Sequence, residues 1–149
     1  MAIESDFLTY LLDQEAIVDV VGNRIFPNQV PQTTSGASMA DDYPAIVIPV
    51  TGQQWQWTQD GTTHETKIVF SIVCMGYGEP QAAYDSALNL AYTIRNTLNN
   101  YSGYWGSTQV IDCSVVDRAD GTFLWQQGYA NGIQPITLTT EVWFIDPTN

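Results

Sequence analysis

The chain has 149 residues, 44% of them hydrophobic, and 16 acidic side chains against 4 basic ones give a formal charge of -12. That length and apolar content suit a single domain over 1–149 and exclude global disorder, while the acidic balance excludes phosphate recognition by clustered Lys and Arg. One histidine, His64, and two cysteines leave little for acid–base, nucleophilic or metal chemistry, so neither catalysis nor a cofactor nor a metal is expected.

In chain order, Ser5 or Asp6 can cap a first short helix with a stripe of Phe7, Leu8, Leu11 and Leu12. Asp13 can cap a second, carrying Ile17, Val20 and Val21 and stopped at Gly22. Arg24-Ile25-Phe26 reads as a short extended piece halted by Pro27. Residues 28–43 are polar and aperiodic, a long loop suited to contacts. Ala45–Val50 reads as a strand with Ile46, Ile48 and Val50 on one side, and Pro49 marks an edge or bulge. Gln53, Trp55 and Trp57 alternate ahead of an Asp60-Gly61 hairpin turn. The return strand sets Thr66, Ile68, Phe70, Ile72 and Cys74 on one face and Glu65, Lys67, Val69, Ser71 and Val73 on the other.

Gly76-Tyr77-Gly78 reads as a tight strand-to-helix turn. It is not a dinucleotide loop, because Gln81 occupies the third glycine position and Glu79 puts negative charge where a pyrophosphate would lie. Pro80 opens one long helix, with Tyr84, Ala87, Leu88, Ala91, Ile94, Arg95 and Leu98 at spacings of three and four. Strands follow at 110–116, 123–125 and 136–145, with a turn at Asp120-Gly121. The last strand alternates Ile136, Leu138, Val142 and Phe144 toward one face.

These elements predict an α+β domain: an antiparallel or mixed sheet of about five strands, with the long helix and the N-terminal short helices packed on one face. The opposite face is not cleanly polar, since Val69, Val73, Trp143 and Ile145 fall on it. A neighbouring copy is the simplest cover for such a face. Trp55 and Trp57 share one strand face and suit an interface, the core or, together with Trp105, a sugar platform. Glu65, Lys67, Arg95 and Trp143 complete the candidate interface residues, the first three as salt-bridge partners between subunits. No apolar run reaches the about 18 residues of a membrane span, the N-terminus lacks a basic secretory start, and the cysteines read as reduced structural thiols of a protein made in a cytoplasm.

Gly22-Asn23-Arg24-Ile25-Phe26-Pro27, then Tyr43-Pro44-Ala45-Ile46-Val47-Ile48, then Lys67–Ile72, then Ala82–Ala91 and finally Pro135–Phe144 follow one another in order and spacing. Together they resemble the tail completion, or tail terminator, proteins of long-tailed bacteriophages. The resemblance implies a virion protein of the tail and neck, without catalytic residues. It implies a ring, commonly a hexamer, that caps the tail tube protein and joins it to the head–tail connector, with DNA passing through unbound. A head-closure or neck adaptor is the alternative within particle assembly, and a carbohydrate-binding module is the alternative outside it.

Overall fold

The computed structural model describes residues 3–27, 43–48, 53–54, 65–106, 108–125 and 131–145. The chain runs α1 (Ile3–Leu12), α2 (Glu15–Val21), β1 (Ile25–Phe26), β2 (Ala45–Val47), β3 (Gln53–Gln54) and β4 (Glu65–Gly78). It continues with α3 (Pro80–Leu98), β5 (Tyr101–Trp105), β6 (Thr108–Asp120), β7 (Leu124–Trp125) and β8 (Gly132–Ile145). The expected α+β class is present. The sheet has eight strands in the order β1-β2-β4-β8-β6-β5, with β3 added to β4 and β7 to β8. Among the described strands only β1 and β2 pair in parallel. The strand without a sequence expectation is β5, five residues in which Ser102 and Gly103 break any apolar alternation, while β1, β3 and β7 are two-residue pieces.

The frame is the long antiparallel ladder between β4 and β8, in register from Glu65 opposite Ile145 to Gly78 opposite Gly132. Strict alternation buries Thr66, Ile68, Phe70, Ile72 and Cys74 of β4, as expected. It also buries Ile136, Leu138, Val142 and Phe144 of β8. All three helices cover this face, and their buried residues join those of the strands in one apolar cluster.

Gly76 positions the long helix. A Cβ there would strike the main-chain oxygen of Ala83 and lie 2.8 Å from the nitrogen of Ala87. The missing side chain lets α3 rest directly on the sheet. The strand runs through Gly76-Tyr77-Gly78, so these residues are not the turn that composition suggests; only Glu79 separates strand from helix. The buried stripe of α3 is Ala83, Ala87, Leu90, Ala91, Ile94 and Leu98. Leu90 thus takes the place expected of Leu88, while Tyr84 and Leu88 are half-buried at the margin and Arg95 is exposed.

At the N-terminus the expected caps shift. α1 starts at Ile3, so Ser5 and Asp6 lie inside it, and Asp6 is buried, accepting a hydrogen bond from Thr108 Oγ1 at 2.9 Å. α2 begins after Gln14 rather than Asp13 and lacks a side-chain cap. Gly22 ends it at φ 59, where a left-handed residue is required. Phe7 and Leu11 are buried, whereas Leu12 and Val20 project into solvent at 42% and 38% exposure. Around Ala45–Ile48 every side chain is buried, not only Ile46 and Ile48, because both faces of this strand are covered. Val50 and the Asp60-Gly61 turn lie outside the described residues.

β8 is a central strand containing a proline, which ordinarily argues against such a position. The geometry resolves the conflict. Gly121 N donates to Pro135 O at 2.9 Å just where β6 has ended. A residue's N–H and C=O point to the same side of an antiparallel strand, so the missing proline donor faces that gap. Gln134 Nε2 supplies the donors instead, reaching Gly121 O at 2.7 Å and Pro135 O at 3.0 Å. Replacing Gln134 with Leu is expected to destabilise the fold by about 0.5–1.5 kcal/mol by removing the amide that bonds both Gly121 O and Pro135 O. Urea unfolding monitored by tryptophan fluorescence checks this.

Candidate assembly surfaces

The face of the β4–β8 ladder away from the helices has no covering layer among the described residues. Cross-strand neighbours on it are Val69 with Glu141, Ser71 with Thr139, Val73 with Thr137, Met75 with Pro135, and Tyr77 with Ile133. Each is half-buried. Trp143 and Ile145 extend the same face toward the end of β8, and the ring of Tyr43 stacks on Tyr77 with centroids 5.8 Å apart. The mixed apolar and polar character expected from the sequence is therefore present.

Lys67 and Trp143 face each other across the ladder, and the ammonium lies 5.6 Å from the indole centroid. Lys67 Nζ also pairs with Glu141 Oε2 at 3.3 Å, and only 17% of the lysine side chain is exposed. Lys67 is thus engaged within its own chain, with both Glu141 and the Trp143 ring. Glu65 holds its place in the β4 ladder opposite Ile145; its side chain, Trp55, Trp57, His64 and loop residues 28–42 lie outside the described residues.

Arg95 is on the other side of the sheet. Its guanidinium lies 5.1 Å over the ring of Tyr92, and that of Arg118 approaches the same ring at 6.0 Å. Arg118 donates from Nη1 to Tyr92 Oη at 3.2 Å, and from Nε and Nη2 to the two oxygens of Asp120 at 3.0 and 3.3 Å. Asp120 also accepts from Tyr84 Oη at 2.9 Å. The hydrogen bond to Asp120 raises the Tyr84 phenol above its ordinary pKa, and the bond to Tyr92 raises that of the Arg118 guanidinium. Two of the chain's four basic residues therefore meet on one tyrosine.

Sequence reasoning missed Tyr92, Arg118, Leu124 and Trp125. The last two are exposed at 58% and 63% on β7. Trp125 meets Phe123 edge-on, with centroids 4.8 Å apart. An exposed Trp at a hairpin suits an interface anchor, but a two-residue strand has no alternation from which its outward direction could be read. Trp105 is the reverse case. It is 1% exposed, packed 5.0 Å from Phe7 and 5.3 Å from Tyr10, and so unable to stack on a sugar ring. That removes one of the three tryptophans of the carbohydrate platform.

Among the described residues no group of three His, Cys, Asp or Glu side chains could hold a metal ion, and no helix is long and apolar enough to cross a membrane. Burial pushes the Cys74 and Cys113 thiols from 9.0 up to about 12. Both are therefore protonated at neutral pH and poor nucleophiles. Thiol reagents at pH 8 are expected to leave both unmodified in the native chain and to label both in denaturant, which mass spectrometry would read. Because the folded values lie above the unfolded ones, stability from these thiols is whole below pH 9 and falls as pH rises toward 12.

No protein-family profile and no curated protein matches the chain. A solved structure does match, that of the virion of a native gene transfer agent (GTA) particle. One of its chains has a TM-score of 0.67 at 12% sequence identity, covering 97% of this chain and 96% of that chain. At this identity the likeness is one of fold, and it runs from end to end rather than through a single motif.

Proposed function

We propose that this chain is a structural protein of a phage-like virion that acts by assembly, as a tail terminator. Copies form a ring, of six in the arrangement the family resemblance implies, which caps the tail tube and joins it to the head connector. The observation that carries the reading is the end-to-end likeness of fold to a chain of a virion particle. Three properties of the molecule support it. The sheet presents a half-covered face with Trp143, Val69 and Val73, the kind of surface that a partner subunit completes. The charge of -12 lets DNA pass without adhering. The two thiols are locked in the core, which fits a non-enzymatic role.

The mechanism is geometric. Each subunit lends a rigid ladder, β4 with β8, and the ring orders the surfaces that meet tube on one side and connector on the other. Deleting the gene from its parent phage or element and imaging the products tests the role. Tails of uncontrolled length are expected. Normal tails detached from heads would instead assign the chain to head closure, and particles of wild-type form would remove it from the virion pathway.

A further inference from the structure

We infer that the groove between α3 and the C-terminal half of β6 receives the acidic α2 corner of a neighbouring copy, as the head-to-tail contact of the ring. The inference rests on the ring reading above and names the surfaces that would close it.

The groove has a cavity of about 290 Å³ lined by Tyr92, Arg95, Val115, Val116 and Arg118, with Leu138 at its floor and one carboxylate, Asp117, among the lining residues. One neighbour of β6 stops short, while β8 pairs with it as far as Asp120. β5 pairs with β6 only as far as Cys113, and the side chain of Asn99 takes the next available donor, Val115 N, at 3.2 Å. From Val116 to Asp120 no described strand lies on that edge, and all five residues are exposed, Val116 at 53%. An open edge beside an apolar groove is a ready surface for another chain.

Charge selects the occupant. Among the described residues Arg95 has no carboxylate within ion-pairing distance, although the chain carries 16 of them. Copies that each bear a charge of -12 repel one another, so a contact between them must use the few cations available. Arg118 is already paired with Asp120, so Arg95, stacked on the Tyr92 ring, is the cation of the groove left for a partner.

The complement lies on α2. Glu15 and Asp19, four residues apart on its exposed side, repel each other, and no described cation pairs with either. Asp19 also sits in the last turn, where the helix dipole disfavours an anion, and α2 has no basic residue there. Leu12 and Val20 flank the pair as exposed apolar side chains that match Tyr92 and Val116. α2 leads through residues 22–24 into β1, the edge strand at the opposite end of the sheet from β6 and β5. The groove and the α2 corner are two different, complementary patches, so their contact is heterologous, the kind that generates rings.

The test is charge reversal, read as ring mass by light scattering and ring images of the purified protein and of virion necks. Arg95→Glu and Asp19→Lys are each expected to lower the ring fraction by about tenfold or more at a concentration where wild type is assembled. The double variant is expected to restore it. Asp19→Lys improves the helix dipole interaction, so its loss of assembly cannot be ascribed to unfolding, and circular dichroism verifies this. Rings unchanged in both single variants, or a double variant as defective as the singles, would overturn the contact while leaving the ring reading intact. Intact rings of Arg95→Glu that fail to join particles would assign the groove to another virion protein, also overturning it. A wild-type chain that forms no ring, in solution or in particles, would sink the ring reading and the contact together.

Discussion

Gly76→Ala is expected to destabilise the fold by about 3 kcal/mol or more, a large part of the about 5–15 kcal/mol that holds a typical domain together. The added methyl would meet main-chain atoms of Ala83 and Ala87, which no rotamer change can move aside. To accept it, α3 must lift off the sheet, loosening Ala83, Ala87, Leu90 and Ala91 at once. Thermal unfolding followed by circular dichroism should place the midpoint lower by on the order of 10 °C, with much of the product insoluble. Ala83→Gly should not rescue it, because the obstacle is backbone. A midpoint at the wild-type value would mean that helix and strand do not approach as described.

Phe7→Ala is expected to cost about 3–5 kcal/mol. Phe7 is fully buried, stacked on Phe70 at 4.3 Å between centroids and packed 5.0 Å from Trp105. Its ring joins α1 to β4 and β5 in one layer, so truncation leaves a cavity bounded by rigid aromatic walls that collapse poorly. The urea midpoint should fall with little change in slope, and Phe7→Leu, closer in volume, should be milder. A loss below 1 kcal/mol would show that α1 is not anchored through this ring.

The two predictions draw on different kinds of information. Phe7 belongs to an apolar stripe that helical periodicity reveals, and its burial follows directly. Gly76 looks from the sequence like one of a pair of turn glycines, and only the approach of α3 gives it its role. The same division separates Ile68, Phe70 and Ile72, assigned to the core face by alternation alone, from Pro135, which composition would expel from a central strand. Gln134 permits it, through an amide bonded to residues one and thirteen positions away. Leu88 and Leu90 differ by little in a periodic pattern, and which of them is buried depends on how the helix is rotated on the sheet.

The candidate surfaces divide likewise. The half-apolar outer face was legible because Val69, Val73, Trp143 and Ile145 alternate with core residues along their strands. The pairing of Lys67 with Glu141 was not, since the partners are 74 residues apart and meet only through the register of β4 and β8. Nor was the meeting of Arg95 and Arg118 on Tyr92, which requires α3 to cross the sheet beside β6.

By itself the sequence determined the class of elements, the long helix, the inward faces of the main strands, the burden of negative charge and the poverty of reactive groups. These follow from local periodicity and composition, quantities that neighbouring residues carry without reference to the rest of the chain. Tertiary structure alone decided strand order, the place of the proline, which tryptophans are sealed and which exposed, and where the scarce cations gather. Those depend on ladders and helix packing that join distant residues, and no local pattern encodes distance in space.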